Sequence, residues 1–139
     1  MSNKENIIRM RKHLQFITRN YTNRDRLTGN RRLLYDACER LQNRLHRAFS
    51  IDEIEKEIGK NNFCNNNQPQ DYCYNSVNIA CLIPKFLLKR DRGMFEFKEI
   101  AWKPNNEEIV NWTPKCCNEI IKVGTYNKNG FSWVAEYQF

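Results

Sequence analysis

The residues with the greatest chemical reactivity in this 139-residue sequence are six cysteines and two histidines. Zinc sites are usually built from pairs of these residues two to four positions apart, so that one loop supplies two ligands. The sequence has no CxxC motif, and two adjacent cysteines cannot easily supply both ligands in good geometry. We therefore expect no metal site and expect the thiols to be free. The residues concerned are Cys38, Cys64, Cys73, Cys81, Cys116, Cys117, His13 and His46.

Other catalytic patterns are also missing from the sequence. It contains no GxxxxGK[ST] phosphate-binding loop, no HExxH zinc motif and no GxSxG nucleophile turn. The acidic pair Asp52-Glu53 is typical of a helix start, and Glu107-Glu108 is typical of a loop. We therefore expect a protein that is not an enzyme and that needs no cofactor.

Positive charge is concentrated in the first part of the chain. The formal net charge is +7, and residues 1–50 hold 12 lysines and arginines against four acidic residues. Residues 51–139 hold 11 against 12. An asymmetry of this kind indicates contact with a polyanion, or else a solvated basic helix surface.

Three helices are predicted in this first part. Apolar side chains recur at helical spacing in residues 4–20 and in residues 31–47, with basic residues on the other faces. Residues 50–58 begin with Ser50 and have Glu53 three positions later, which is the pattern of a capping box. The length of the chain is that of one domain.

A helix and a β-hairpin are predicted next. The helix begins at Asp71 or Tyr72 and extends to about Ile83. The hairpin joins residues 86–90 to residues 94–98 through a three-residue turn that ends in glycine.

The end of the chain predicts a second hairpin. Residues 103–118 contain two prolines and are expected to be irregular. Residues 120–126 and residues 131–139 alternate apolar and polar side chains, and the intervening turn contains glycine.

The order of these elements is helix, short helix, helix and β-hairpin, which resembles the winged helix-turn-helix superfamily over about residues 31–100. The likeness is to small winged domains of prokaryotic and phage proteins of DNA metabolism, defence and restriction. It is carried by LLYDA at residues 33–37, FSIDEI at 49–54, YNSVNI at 74–79 and LLKRDRGMFEF at 87–97.

This resemblance implies an α+β fold with a winged-helix core of three helices and a β-hairpin wing. An N-terminal helical arm at residues 1–30 and a C-terminal β extension at residues 101–139 would flank that core within one domain. The resemblance also implies double-stranded DNA as the partner, with polar side chains at base edges and basic ones at phosphates or in the minor groove. The implied contacts are Tyr72, Asn75, Ser76 and Asn78 in the third helix, Lys89, Arg90 and Arg92 in the wing, and Arg31 and Arg32 in the first helix.

Two alternatives remain open at this point. The predicted third helix has no lysine or arginine, which favours either a shape-reading mode of DNA binding or a protein partner. In the second case the protein is a protein-binding adaptor or inhibitor, for example a phage anti-defence factor. Such a protein would present aromatic residues such as Trp112, Trp133 and Tyr137. Binding of RNA is a third possibility without a motif. We expect a monomer or a homodimer in the cytoplasm or on the nucleoid, neither secreted nor in a membrane.

Overall fold

Three helices and two antiparallel sheets make up the computed structural model, which describes residues 2–59, 68–77, 83–114 and 119–138. The protein is therefore of the α+β class, as predicted. The helices are α1 (Asn3–Asn20), α2 (Gly29–Leu45) and α3 (Ile51–Ile58). The strands are β1 (Phe49–Ser50), β2 (Leu87–Asp91), β3 (Met94–Phe97), β4 (Glu108–Trp112), β5 (Ile121–Asn127) and β6 (Gly130–Trp133).

Local signals in the sequence set the ends of the helices. The hydroxyl of Ser2 accepts the backbone N–H of Glu5 at the start of α1. At the start of α3, the hydroxyl of Ser50 accepts the backbone N–H of Glu53, and the Glu53 carboxylate accepts the Ser50 N–H. This reciprocal pair is the predicted capping box. The three predicted N-terminal helices are confirmed, and α2 ends at His46 in a left-handed conformation.

Both predicted hairpins are also confirmed. β2 and β3 meet at a turn in which Gly93 has a φ of +70°, and β1 pairs with the outer edge of β3, giving the order β1-β3-β2. β5 and β6 meet at a turn in which Gly130 has a φ of +102°. Glycine adopts such angles without the steric cost that a side chain imposes.

The C-terminal sheet differs from the prediction in two places. The stretch expected to be irregular contains β4, which pairs with β5 in a sheet of order β4-β5-β6. The last predicted strand is shorter than expected, because β6 ends at Trp133 and Ala135–Tyr137 form a 3₁₀ turn.

The helix predicted from Asp71 or Tyr72 to about Ile83, which would be the third helix of the winged-helix core, is wrong over the residues that the structure describes. Pro69–Tyr72 form a 3₁₀ turn, and residues 73–77, which we call the linking segment, are not helical. Cys73 forms a parallel bridge with Leu87 of β2, and Ser76 forms one with Asn111 of β4. These long-range partners take backbone groups that a helix would have paired internally.

The linking segment therefore joins the two sheets. The backbone N–H of Tyr74 donates to the carbonyl of Leu87 at 2.8 Å, and that of Val77 donates to the carbonyl of Asn111 at 3.1 Å. Residues 78–82 of the predicted helix lie outside the described residues.

Two hydrophobic clusters lie on either side of this segment. The first packs α2 and α3 against the β1-β3-β2 sheet and includes Leu34, Phe49 and Phe95. The second packs α1 against the β4-β5-β6 sheet and includes Ile7 and Val110. The helix at the N-terminus and the sheet at the C-terminus thus share one core.

In the described ranges, no helix combines the length and apolarity needed to cross a bilayer.

Candidate nucleic-acid interface

The residues predicted to contact base edges do not lie on an exposed helix. Tyr72 is buried, and its ring centroid lies 4.9 Å from that of Phe86. Its position in the core corrects its predicted place on a DNA-contacting surface. Asn78 lies outside the described residues.

Asn75 and Ser76 lie in the linking segment. The side-chain amide of Asn75 donates to the backbone carbonyl of Lys89 at 2.9 Å, and its oxygen accepts the Lys89 N–H at 3.0 Å. The amide thus pairs with the backbone of β2 as a neighbouring strand would. Ser76 is half-buried beside β4. The predicted helical platform for base contacts is therefore absent from the described part of residues 71–83.

The wing residues differ from one another in their surroundings. Lys89 is half-buried, whereas Arg92 is exposed at the turn. The Arg90 guanidinium pairs with Glu96 at 2.6 Å and with Glu108 at 3.5 Å. The hydrogen bond to Glu96 is the main cause of a raised pKa for Arg90. Because Glu108 begins β4, Arg90 ties the β2-β3 hairpin to the second sheet.

The two arginines predicted to contact DNA from the first helix of the core, Arg31 and Arg32 of α2, form contacts within the protein. Arg31 donates to the Tyr21 hydroxyl at 2.8 Å and lies over its ring, 5.9 Å from the centroid. Arg32 pairs with Asp36 at 3.4 Å and with Asp25 at 4.0 Å. Both arginines are half-buried, so they are fixed in place along α2.

Acidic residues neutralise much of the arginine charge on α2. Glu57 of α3 accepts hydrogen bonds from Arg40 at 3.1 Å and from Arg44 at 2.9 Å. Glu53 does the same with Arg47 at 2.8 Å. The hydrogen bond from Arg44 is the first cause of a lowered pKa for Glu57, and that from Arg47 lowers the pKa of Glu53 to about 2. The positive charge of these three arginines is therefore largely neutralised by the carboxylates of α3.

The cations of α1 have different surroundings. Arg9, Lys12 and Arg19 are exposed, and no carboxylate of the described residues lies within ion-pair distance of them. At 100° per residue these three positions fall within an arc of about 80°, on the side of α1 opposite the buried Ile7 and Met10. We call this the basic face of α1.

A cavity of about 720 Å³ lies beside α1. Its walls are α1, the turn at residues 100–103 and the hairpin of β5 and β6. Among the described residues, four basic side chains line it and no acidic one does, and the remaining large lining groups are aromatic rings and the aliphatic side chains of Leu14, Ile17 and Ile100. The basic residues are Arg11, Arg19, Lys85 and Lys103, and the aromatic ones are Tyr21, Tyr74, Tyr126, Phe131 and Trp133.

Two of these basic side chains are held by the protein. The Arg11 guanidinium lies 5.7 Å from the ring centroid of Trp133 and donates to the carbonyl of Tyr137 at 3.3 Å. Lys85 is 9% exposed, and its ammonium donates to the carbonyl of Asp71 at 2.7 Å. Positive charge is therefore placed inside the cavity as well as at its rim.

Two tyrosine hydroxyls shape the turn in the cavity wall. The hydroxyl of Tyr74 donates to the carbonyl of Glu99 at 2.6 Å and accepts the N–H of Trp102 at 3.1 Å. The hydroxyl of Tyr126 donates to the carbonyl of Trp102. Burial raises the pKa of Tyr74, which keeps its hydroxyl a donor. Between these contacts Ala101 has a φ of +62°, a conformation that costs energy for any residue except glycine.

A glycine allows the hairpin to form the opposite wall. A Cβ atom on Gly124 would lie 2.3 Å from the carbonyl oxygen of Ser132 and 2.8 Å from the Phe131 ring. The absence of a side chain on β5 therefore lets the ring of Phe131 lie against the strand. Phe131 in turn contacts Trp133, with 4.7 Å between the ring centroids.

Sequence reasoning missed this cavity because its described lining residues come from five separate parts of the chain. Lys85 begins a small basic cluster at residues 85–92, whereas Lys103 stands apart from it. That cluster and the abundance of aromatic residues in the C-terminal part were the available signals. No protein-family model, curated protein or solved structure matches this sequence. Its function is therefore inferred from the charges, rings and cavity described above.

Proposed function

We propose that this protein binds nucleic acid through phosphate contacts made by the basic face of α1, without catalysing a reaction. The observation that supports the proposal is the division of charge between the helices. Three of the four cations of α2, Arg32, Arg40 and Arg44, are paired with acidic residues of α2 and α3, whereas those of the basic face have no ion pair among the described residues.

Such a face suits the backbone of nucleic acid. Double-stranded DNA carries one negative charge per about 1.7 Å of its axis, and a protein that approaches it releases condensed counterions. Arg9 and Arg19 are separated by about 15 Å along the axis of α1. Contacts of this kind position the protein on a strand without identifying its sequence.

We further propose that residues 31–100 form a winged-helix core. Three features support it: the order α2, β1, α3 and then the β2-β3 hairpin, the pairing of β1 with β3, and an exposed arginine at the hairpin turn, Arg92. The hairpin would act as the wing and add a phosphate contact. Base-specific contacts from Asn75 are not part of this proposal, because its amide is bound to β2.

Fluorescence anisotropy with a labelled DNA duplex over a series of salt concentrations tests the proposal. We expect affinity to fall steeply as salt rises. The variant Arg9→Gln/Lys12→Gln should reduce the slope of log K against log salt by about 1.8, because each phosphate bound by a cation adds about 0.9 to that slope. The matched control Arg40→Gln/Arg44→Gln removes the same charge from α2 and should leave the slope nearly unchanged.

Two results would contradict the proposal. One is the absence of binding at low salt. The other is an equal loss of affinity in the two double variants, since that would make net charge, and not the basic face, responsible for binding.

A protein-binding adaptor is the second candidate function. The observation that favours it is the exposure of two isoleucines at the β4-β5-β6 sheet: Ile109 is 53% exposed and Ile120 is 67% exposed. Large apolar side chains at a surface are common at protein interfaces. Copurification with a tagged chain from the native host tests it. A partner retained by the wild type and lost with Ile109→Lys would support this function, and recovery of the same partner with Ile109→Lys would contradict it.

A further inference from the structure

The cavity and the basic face of α1 share a residue. Arg19 belongs to the basic face and also lines the cavity, and Lys103 extends the positive charge across the cavity from α1. A strand whose phosphates follow the basic face would therefore pass the cavity entrance. One part of that strand is then close enough to enter the cavity.

The size and lining of the cavity match a single nucleotide. Ligand cavities of 300 to 1,000 Å³ are typical of small molecules, and this one measures about 720 Å³. Phe131 and Trp133 offer half-buried aromatic rings, on which any base can stack. None of the described residues that line it is acidic, which suits a group that carries phosphate.

A base inside a duplex cannot enter such a cavity, because it is stacked and paired with its neighbours. An unpaired base is free to do so, and stacking on aromatic side chains is how proteins usually hold single strands. We propose that the cavity takes one unpaired nucleotide of a nucleic-acid strand, with the flanking phosphates on the basic face of α1. This inference rests on the proposed nucleic-acid binding and makes it specific for strands with unpaired bases.

The residues have separate roles in this arrangement. Phe131 stacks on the base, and Trp133, whose ring is inclined at 59° to that of Phe131, contacts the edge of the base. Arg19 and Lys103, both exposed, contact the phosphates on either side of the cavity entrance. The turn at Ala101, fixed by the hydroxyls of Tyr74 and Tyr126, keeps the opposite wall in place.

Binding of four labelled ligands to the full chain tests this proposal. They are an oligodeoxynucleotide, an oligoribonucleotide of the same sequence, a blunt DNA duplex of the same length and a mononucleotide. We expect at least one of the two single strands to bind about tenfold more tightly than the duplex and far more tightly than the mononucleotide. Its binding should also change the tryptophan fluorescence, because Trp133 lines the cavity.

Two variants test whether the nucleotide lies in the cavity. Phe131→Leu keeps an apolar side chain over Gly124 but removes the ring, and should weaken single-strand binding about tenfold while leaving duplex binding unchanged. Lys103→Gln should weaken the single strand more than the matched control Lys122→Gln, which removes one charge from an exposed position of β5 outside the cavity lining. Circular dichroism confirms that each variant is folded.

The outcomes separate this inference from the proposed function. If duplex and single strands bind equally, or if Phe131→Leu has no effect on the single strand, the cavity does not hold a base, while salt-dependent duplex binding still supports the proposed function. If the mononucleotide binds as tightly as the strands, the inference is overturned, because the basic face then contributes nothing. If no nucleic acid binds at low salt, both proposals fail.

Discussion

At the scale of single residues, Glu53 shows how one carboxylate serves both a helix and a contact between helices. It accepts hydrogen bonds from the Ser50 N–H at the start of α3 and from the guanidinium of Arg47, two residues after the end of α2. These hydrogen bonds, chiefly that from Arg47, lower its pKa to about 2 from the usual 4.5. Since the pKa is lower in the folded state, ionised Glu53 stabilises the fold above about pH 5. This contribution is lost as the pH falls towards 2.

We therefore predict that Glu53→Gln flattens the acid side of the stability profile. At pH 7 the variant should lose about 1 kcal/mol of the free energy of unfolding, since a capping group and a partly exposed ion pair are both weakened. Between pH 5 and pH 3 the wild type should lose stability faster than the variant. Urea denaturation at a series of pH values measures both effects.

The control for this experiment is Asp52→Asn in the same turn of α3. Asp52 is exposed and forms no ion pair among the described residues, so its replacement should cost less than that of Glu53. Identical pH profiles for wild type and Glu53→Gln would show that the hydrogen bonds to Glu53 do not stabilise the fold.

At the scale of elements, the linking segment shows why a helical pattern can give an extended chain. Its Asn75 side chain occupies both the N–H and the carbonyl of Lys89, at 3.0 and 2.9 Å. The segment thereby completes the edge of β2 without forming a full strand. Asn75 therefore has a structural role, which the sequence-based prediction of a base contact did not include.

Replacing Asn75 separates these two roles. Asn75→Ala leaves two half-buried backbone groups without their partner, and we expect a loss of about 1–3 kcal/mol in the free energy of unfolding. Ser76→Ala, the neighbouring control, should change stability by less than about 0.5 kcal/mol. Chemical denaturation measures stability, and anisotropy with two duplexes of different sequence measures preference. A stable Asn75→Ala variant with altered sequence preference would restore the base-contacting role.

The accuracy of the sequence predictions follows the range of the interactions involved. α1 and α3 were predictable because apolar spacing and the Ser50 capping box act within a few residues. The two hairpins were predictable from glycine in their turns. The linking segment was not, because its conformation depends on pairing with Leu87 and Asn111, 14 and 35 residues away from their partners in the segment. The spacing of apolar residues such as Tyr74 and Val77 fits a helix as well as an extended segment when the pairing with Leu87 and Asn111 is not known.

The candidate site was less predictable than the fold for the same reason. Concentration of charge before residue 50 correctly located the basic helices, but not which of their arginines face carboxylates. Glu57 lies 13 and 17 residues from the two arginines that it pairs with. The cavity forms only where α1 and the β5-β6 hairpin meet, and no local sequence pattern predicts that contact.

At the scale of the whole molecule, the two ends of the chain behave as one structural unit. Ile7 and Met10 of α1 pack with Val110 and Val123 of the C-terminal sheet, all nearly or completely buried. The backbone carbonyl of Tyr137 also accepts a hydrogen bond from α1. The N-terminal helix and the C-terminal strands are thus two halves of a second core, which also forms the cavity.

A substitution at one end of the chain should therefore loosen the other. Ile7→Ala removes a fully buried side chain, and we expect it to cost about 2–4 kcal/mol. In native-state hydrogen exchange, the amides of β4 and β5 should lose protection by as much as those of α1, whereas Lys12→Ala on the exposed side of α1 should leave both unchanged. Loss of protection confined to α1 would mean that the helix is a separate arm. Shared loss would mean that the cavity walls form and open together, so that access to the cavity depends on the stability of this core.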